Sequence, residues 1–199
     1  MKNTNQSLFD KYEMIKDLGT GSSGSVTLVR HISMDQERAL KKVPKASAFA
    51  ESALSEARLL KSLEHPSIPR IFDFEEDNAF YYIVEEYIDG ETLDSFLLHQ
   101  QLISPGLFFN ICEQLCNVFI YLHTQISTPI IYRDLKPEHI IVCHNKLKLI
   151  DFGVSAYVIQ DGNNFNHYGN IEFSAPECFT EDTITPAADI YSLGQLLQY

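Results

Sequence analysis

A glycine-rich stretch near the start of the chain has the residue types that can hold a phosphate group. Residues 19–26 read Gly-Thr-Gly-Ser-Ser-Gly-Ser-Val, and their glycines, in the spacing G-x-G-x-x-G, are Gly19, Gly21 and Gly24. Because glycine has no Cβ, backbone N–H groups of such a stretch can come close to phosphate oxygens. A dinucleotide-binding loop would open a helix, but here a β-like run follows, which favours a loop between two strands. A plain turn stays the alternative for this stretch by itself.

Lys41 could add a positive charge beside such a phosphate group. It lies on the third predicted strand, and its role requires a carboxylate partner on the helix that follows. Glu56 and Glu51 both lie in that helix. The alternative is a solvated surface lysine, as is common beside a second lysine such as Lys42.

The elements that must position these residues change in character near residue 90. Before it, the patterning predicts one helix over 50–63 and strands over 12–17, 25–31, 38–43, 68–75 and 80–87. After it, short β-like pieces over 130–148 separate helices at 93–99, from Ser104-Pro105 to Leu122, and from Thr185-Pro186 to Tyr199. A β-rich lobe and a helical lobe commonly hold a ligand in the cleft between them.

Composition excludes several classes of function. The chain has 199 residues, 45% of them hydrophobic, and a net charge of −12, so it lacks the basic surface that binds nucleic acid or an anionic membrane. Residues 1–10 are polar, and no apolar run reaches the roughly 18 residues that span a bilayer. We therefore expect a cytoplasmic protein, whose four cysteines are reduced core thiols.

Four more motifs follow in order along the second half of the chain. They are residues 132–139, Asp151-Phe152-Gly153, Ala175-Pro176-Glu177 and Asp189-Ile190-Tyr191-Ser192-Leu193-Gly194. With the glycine stretch and Lys41 upstream, the chain resembles the eukaryotic-like (Hanks-type) serine/threonine protein kinases, and is most similar to their bacterial branch. The resemblance covers residues 8–199.

The resemblance implies the α+β fold class and the bilobal protein-kinase-like fold. The resemblance divides the chain into a tail at 1–7, an N-lobe at 8–88 with the hinge at its end, and part of the C-lobe at 89–199. A complete kinase domain continues with more helices, so we expect a chain truncated within the C-terminal lobe. The exposed part of that lobe would then be covered by a homodimer partner or by the missing region.

The resemblance also implies the chemistry. Asp134 would accept or orient the proton of the substrate hydroxyl, and Lys136 would lie near the γ-phosphate, which favours Ser/Thr over Tyr acceptors. Lys41 would bind the α- and β-phosphates, and the sequence after Glu56 fits the family pattern better than that after Glu51. Asp151 would hold Mg²⁺.

The same resemblance places ATP. Residues 19–26 would cover the nucleotide, and the backbone from Glu86 to Ile88 would bond to the adenine. The adenine would lie between Val26, Ala39 and Ile141.

His139 departs from the family pattern, which has a metal-binding Asn at this position. An imidazole nitrogen is a poor ligand for Mg²⁺, so we expect a weakened second metal position and low activity, or a shift toward Mn²⁺. The alternative is that Asp151 alone is sufficient to bind the metal ion.

Other departures lie near the predicted acceptor site and the adenine. Asn170 replaces the usual Thr before the Ala-Pro-Glu motif, and residues 151–177 contain no Thr that could carry an activating phosphate. Arg133 is of the type that pairs with such a phosphate, and would instead pair with a carboxylate such as Asp161, or with a phosphate on a Tyr or Ser. The hydroxyl candidates in this segment are Ser155, Tyr157, Tyr168 and Ser174. Glu85, behind the adenine, would need a partner and could compete with Glu56 for Lys41.

Three functions follow from these residues. The first is a serine/threonine protein kinase of unknown protein substrate. The second is a pseudokinase, a nucleotide-binding or scaffolding module with weak or no transfer activity, which the departures favour. The third is a small-molecule phosphotransferase, which generally lacks an Ala-Pro-Glu segment.

Overall fold

The computed structural model of the chain describes residues 7–21, 24–100, 102–158, 170–180 and 184–198. The chain divides into two compact units. The first consists of Met1–Leu63 and Pro69–Tyr87, and the second of Glu64–Ile68 and Ile88–Tyr199. The short segment at 64–68 belongs to the second unit because it bonds there: the Leu149 N–H donates to the Ser67 carbonyl at 2.8 Å.

The first unit is built on a five-stranded antiparallel sheet in the order β1-β2-β3-β5-β4. Its strands are Tyr12–Gly21 (β1), Gly24–His31 (β2), Gln36–Pro44 (β3), Ile71–Glu76 (β4) and Phe80–Glu86 (β5). The prediction of strands on both sides of the glycine stretch is confirmed. The predicted start of β4 at residue 68 was wrong, because the Ile68 N–H closes a turn onto the His65 carbonyl.

Among the residues described in this unit, two helices accompany the sheet, Leu8–Lys11 (α1) and Ala50–Lys61 (α2). The patterning missed α1, which is too short to show a helical period. Its Leu8 is nonetheless buried, in a cluster with Val29, Leu40 and Val84. On α2, Ala53 and Ala57 are buried in another cluster with strand residues of β3 and β5. Small residues on this helix face let the helix lie close to the sheet.

In the part of the second unit that the structure describes, there are three α-helices and five short strands. The helices are Leu93–Leu98 (α3), Pro105–Ile120 (α4), which continues as a π-helical turn at Tyr121–Gln125, and Ala187–Leu196 (α5). The strands are Glu91–Thr92 (β6), Ile130–Ile131 (β7), Ile140–Cys143 (β8), Lys146–Leu149 (β9) and Ala156–Tyr157 (β10). They form two antiparallel sheets, β6-β8-β9 and β7-β10.

The start of α4 is the one that the sequence predicts. The Ser104 hydroxyl accepts the Leu107 N–H at 3.2 Å, and Pro105 is the first helical residue. The helical spacing of the apolar residues from Phe108 to Leu122 predicts a buried helix, and for Phe108 this prediction was wrong. The buried face begins only at Ile111, and Phe108 is 37% exposed. Within the described residues, no helix is long and apolar enough to cross a membrane.

Two further predictions were wrong in detail. The last helix ends at Leu196 instead of running on to Tyr199. Not all four cysteines are core thiols, since Cys116 is exposed and only Cys178 is buried. Burial raises the pKa of the Cys178 thiol, which keeps it in its unreactive protonated form.

Candidate functional site

Lys41 and Glu56 form a close ion pair in the first unit. The Lys41 ammonium group, on β3, donates to the Glu56 carboxylate, on α2, with Nζ and Oε2 at 2.6 Å. The Glu56 side chain is 7% exposed and that of Lys41 is 20% exposed. This contact fixes the position of the Lys41 ammonium group. The ammonium group of a solvated surface lysine would not be fixed in this way.

The helical period explains why Glu56, and not Glu51, makes this contact. Glu56 lies three residues after Ala53 and one before Ala57, on the buried face of α2. Glu51 lies in the first turn of the helix and is exposed. The order of charged residues along the chain does not by itself distinguish Glu51 from Glu56. The buried apolar residues beside Glu56 on the helix explain why Glu56 makes the contact.

The glycine stretch connects β1 and β2, which pair as an antiparallel hairpin with Gly21 opposite Gly24. The glycines play different parts. Apart from its chain neighbours, no described residue has an atom within 4 Å of a Cβ placed on Gly19 or Gly21, so a ligand can approach the backbone there. Gly24 has a φ of +144°, and a Cβ on it would lie 2.1 Å from the Lys42 carbonyl oxygen. Gly24 is therefore required by the sheet itself.

Two residues predicted to contact the adenine share a sheet face with Lys41. Val26 is directly opposite Lys41 in the register of β2 and β3, and Ala39 lies two residues before Lys41. Because side chains alternate along a strand, all three point to one face. Glu85 is opposite Ala39 on β5 and lies on that face too, half-buried. Its pairing with Lys41 stays a prediction.

The other predicted adenine contacts are the backbone from Glu86 to Ile88 and the side chain of Ile141. In the first unit the Glu86 N–H donates to the Arg70 carbonyl at 2.9 Å, so this amide hydrogen is already in use. In the second unit Ile88 precedes β6, and Ile141 lies on β8. The Ile141 side chain approaches Gly90, where an added Cβ would lie 2.7 Å from it. These nucleotide contacts stay predictions.

The loop after β7 is fixed by a carboxylate from α5. Asp189 is fully buried and accepts the backbone N–H groups of Tyr132 and Arg133, both at 2.8 Å. Arg133 has a φ of +71°, a conformation that a non-glycine residue adopts only when its surroundings hold it there. The next residue, Asp134, is thereby placed by a buried hydrogen-bond network.

Asp134 and Lys136 meet at the end of this loop. Lys136 Nζ lies 3.0 Å from Asp134 Oδ2, and the two side chains are 23% and 18% exposed. A carboxylate that remains reachable can accept a hydroxyl proton, and the adjacent ammonium group can neutralise negative charge that develops on a transferred group.

His139 lies between two carboxylates. Its Nδ1 is 3.0 Å from the Asp134 carbonyl oxygen and 3.3 Å from Asp134 Oδ2, and its Nε2 is 3.5 Å from Asp151 Oδ2. Asp151 has a φ of +60°, and its Oδ1 accepts the Gly153 N–H at 3.3 Å. The structure thus brings the two predicted metal residues together.

These two residues fit Mg²⁺ unequally. The half-exposed Asp151 carboxylate offers the hard oxygen that Mg²⁺ prefers, but the His139 imidazole offers a nitrogen, which does not suit it. Among the described residues, no group of three or more His, Cys, Asp or Glu side chains could hold a metal ion. An ion bound here would need further ligands from water or from phosphate oxygens.

The side chain of Asn170 does not bridge Asp134 and Lys136 in the described part of the chain. Its Oδ1 accepts the Glu172 N–H at 2.9 Å, which is a local turn. Arg133 Nε donates to the Val154 carbonyl at 2.7 Å. Its predicted partner Asp161 and the candidate Tyr168 lie outside the described residues.

Two residues of this site were missed as functional by sequence reasoning. Asp189 was recognised as part of a motif, without its role as acceptor for the loop. His123, which has no motif to mark it, lies in the π-helical turn after α4 and stacks on Phe119. Its Nε2 is 2.8 Å from Asp189 Oδ2. His123 therefore helps to position the carboxylate that accepts the N–H groups of the loop.

Comparison with known proteins agrees with these motifs. A family model described as "Protein kinase domain" matches residues 12–199. The chain is 31% identical over 196 residues to serine/threonine-protein kinase PrkC of Bacillus subtilis (strain 168), covering 94% of this chain and 30% of PrkC. It is 30% identical over 207 residues to serine/threonine-protein kinase PknB of Mycolicibacterium smegmatis (strain ATCC 700084 / mc(2)155), covering 98% and 33%.

A eukaryotic relative matches as well. Serine/threonine-protein kinase ppk25 of Schizosaccharomyces pombe (strain 972 / ATCC 24843) is 33% identical over 188 residues, covering 92% of this chain and 44% of ppk25. The chain therefore spans less than half the length of each of these three relatives. Since the family model covers nearly all of the chain, and the motif residues form the contacts described above, the chain belongs to the protein kinase domain family.

Proposed function

We propose that this chain is the ATP-binding and catalytic part of a protein kinase that transfers the γ-phosphoryl group of ATP to Ser or Thr hydroxyls of protein substrates. The observation that carries the proposal is the Asp134–Lys136 contact at 3.0 Å, on a loop that the buried Asp189 fixes. Relatives named serine/threonine-protein kinase support the choice of acceptor.

Asp134 has the role of the proton acceptor in this proposal. Its Oδ2 would orient the substrate hydroxyl and accept its proton as the oxygen attacks the γ-phosphorus. Lys136 would lie beside the transferred group and neutralise its charge.

The first unit has a binding role in this proposal. The ammonium group of Lys41, held by Glu56 at 2.6 Å, would bind the α- and β-phosphates of ATP. Gly19 and Gly21 leave room for the phosphates to approach the backbone, because beyond the chain neighbours no atom of the described residues lies within 4 Å of a Cβ placed on either. ATP and a divalent cation are thus the proposed cofactors, and the cation would neutralise phosphate charge when bound to Asp151.

A second candidate function rests on His139. Because a nitrogen ligand replaces a hard oxygen beside Asp151, the chain could bind nucleotide and transfer phosphate weakly or not at all, as a pseudokinase does. This candidate predicts nucleotide binding without transfer, whereas the first predicts both.

Transfer of ³²P from [γ-³²P]ATP to a generic basic protein distinguishes the two candidates. We expect incorporation by the wild-type full chain, and loss of nearly all of it in Asp134→Asn, which keeps the size of the side chain but cannot accept the proton. Asp35→Asn is the matched control, because Asp35 lies in the exposed turn between β2 and β3. Equal incorporation by wild type and Asp134→Asn would contradict the proposal. Nucleotide binding without any incorporation would favour the pseudokinase.

A further inference from the structure

We propose that a polar cavity in the second unit binds a small anionic molecule with several hydroxyl groups, of the chemical class of the sugar phosphates. The cavity has a volume of about 470 Å³, within the roughly 300–1,000 Å³ that is typical of ligand pockets. The proposal does not depend on the proposed function, because the catalytic residues named above are not part of the lining. The polar side chains that line the cavity include His65, Ser67, Asn117, Gln125 and Lys146.

Ser67 is the most enclosed polar residue of this lining, at 6% exposed. Its backbone groups are both in use, since its N–H donates to His65 Nδ1 at 3.1 Å and its carbonyl accepts the Leu149 N–H at 2.8 Å. Its hydroxyl group, by contrast, has no hydrogen-bond partner among the described residues. Because enclosed hydroxyl groups are normally hydrogen-bonded, this one is a site of attachment for a molecule in the cavity.

His65 supplies a second donor, and its tautomer is fixed. Burial lowers the pKa of His65, so the ring is neutral at pH 7, and its Nδ1 accepts the Ser67 N–H. The ring hydrogen is therefore on Nε2, which has no acceptor in the part of the chain that the structure describes. The ring lies against Tyr121, with centroids 5.1 Å apart, and the Tyr121 hydroxyl accepts the Glu64 N–H at 2.8 Å. These contacts keep the imidazole in position.

Two primary amides form another part of the lining. Asn117 lies on α4, and Gln125 is the last residue of the π-helical turn, a kind of turn that is frequent at functional sites. Neither side chain has a hydrogen-bond partner within the described residues. Each amide offers two donor hydrogens and an acceptor oxygen, which match hydroxyl groups, since these also donate and accept.

The charges at the cavity favour an anion. Lys146, the first residue of β9, lines the cavity, and the charge of Lys148 reaches the His65 ring. No carboxylate belongs to the described lining, although the chain has 27 acidic residues and a net charge of −12. An ammonium group, an imidazole N–H and a hydroxyl are suitable donors for phosphate oxygens. Together with the two amides, they match a phosphate group attached to a polyol.

Gln114 gives the cavity its shape and is itself fully occupied. Its Nε2 donates to Asn110 Oδ1 at 2.7 Å and to the Asn145 carbonyl at 2.9 Å, and its Oε1 accepts the Leu147 N–H at 2.8 Å. These bonds join α4 to the turn before β9 and to β9 itself. The cavity is therefore formed before any ligand enters, which reduces the cost of ordering on binding.

The test is nuclear magnetic resonance of the full chain with ¹⁵N-labelled histidines, titrated with glucose 6-phosphate, ribose 5-phosphate and glycerol 3-phosphate. We expect at least one of these compounds to shift the ring signals of His65 with a dissociation constant below roughly 1 mM. The His65 signals are identified by their absence in His65→Asn. A phosphate compound bound at the proposed kinase site would shift the His139 signals instead. No shift of the His65 signals by any of the three compounds would overturn the proposal.

Two variants test the donors. Ser67→Ala removes a hydroxyl group that bonds to no described residue, so we expect wild-type stability and binding weakened roughly tenfold or more. Lys146→Gln should also weaken binding of the sugar phosphate. Lys61→Gln is the matched control, because it makes the same change of charge at an exposed lysine of α2. Unchanged affinity in Ser67→Ala, or an equal loss in Lys146→Gln and Lys61→Gln, would overturn the proposal.

Inorganic phosphate and glucose separate the two parts of the ligand. We expect each of them alone to bind at least tenfold more weakly than the best of the three sugar phosphates. Inorganic phosphate that shifts the His65 signals at equal concentration would show that the amides contribute nothing, and would overturn the assignment. Transfer of ³²P, measured in parallel, separates this proposal from the proposed function. Sugar phosphate binding without transfer would support the cavity while the kinase function fails.

Discussion

Lys41 Nζ and Glu56 Oε2 lie 2.6 Å apart, joining the middle strand of the first unit to its long helix. Replacing Lys41 by Met would leave the nearly buried Glu56 carboxylate without this cation. We expect Lys41→Met to lower the free energy of unfolding by about 3 kcal/mol, near the low end for breaking a buried ion pair, and to reduce phosphoryl transfer strongly. Urea denaturation at pH 7 measures the first effect.

The matched control for this variant is Lys45→Met. Lys45 also forms a close ion pair, with Glu76 at 2.7 Å, but Glu76 is 54% exposed. Exposed ion pairs contribute little to stability, so we expect a much smaller change. If both variants lost the same stability, burial of Glu56 would not be the cause.

Gly24 and Gly21 should respond differently to alanine, although both belong to the same motif. Gly24→Ala meets the Lys42 carbonyl and a φ of +144°, so we expect a loss of roughly 1–3 kcal/mol or more from backbone strain. The new Cβ of Gly21→Ala has no atom of a described residue within 4 Å apart from its chain neighbours, so we expect a change within about 0.5 kcal/mol and weaker ATP binding. Thermal unfolding and nucleotide titration of both variants would measure this, and a Gly24→Ala protein of wild-type stability would contradict it.

Asp189→Asn should destabilise the loop that carries Asp134. Each carboxylate oxygen of Asp189 accepts a backbone N–H, and an Asn side chain would place an NH₂ group against one of these donors. We expect a loss of about 1–3 kcal/mol, the cost of an unmade buried hydrogen bond, together with slower transfer. Urea denaturation and ³²P incorporation report the two effects. The exposed Asp35→Asn should change neither.

His65 should make stability depend on pH. Burial, and secondarily the charge of Lys148, lowers the pKa of His65 below its usual 6.5, and its Nδ1 accepts the Ser67 N–H. The unfolded chain therefore binds a proton more readily than the folded one. The contribution of His65 is fully present above pH 6.5 and is lost as the pH falls from there through the lower pKa of the folded state.

We expect a smaller free energy of unfolding at pH 5.5 than at pH 8, part of which His65→Asn should remove. The Asn side-chain oxygen can still accept the Ser67 N–H, but it does not titrate. Urea denaturation at both pH values measures this, with His144→Asn as the control at an exposed histidine. A pH dependence that is unchanged in His65→Asn would show that other groups cause it.

Much of the fold followed from local signals. The strands on both sides of the glycine stretch, the Ser104-Pro105 helix start and the α2 helix were predicted because β-like runs, caps and helical periods are properties of a few neighbouring residues. The π-helical turn after α4 and the four-residue α1 were missed, since neither leaves such a signal. The exposure of Phe108 was missed because the helix pattern does not show where the core ends.

The sequence by itself determined the family, the order of the motifs and the residue types of the site, including a histidine where oxygen is usual. Only the tertiary structure decided how these residues act. It assigned Gly24 to the sheet, placed Asp189 behind the loop and directed His139 Nε2 at Asp151. The physical reason is that hydrogen-bond partners, ring orientation and burial are relations between residues far apart in the chain. Spacing along the chain constrains such relations only within a single helix or hairpin.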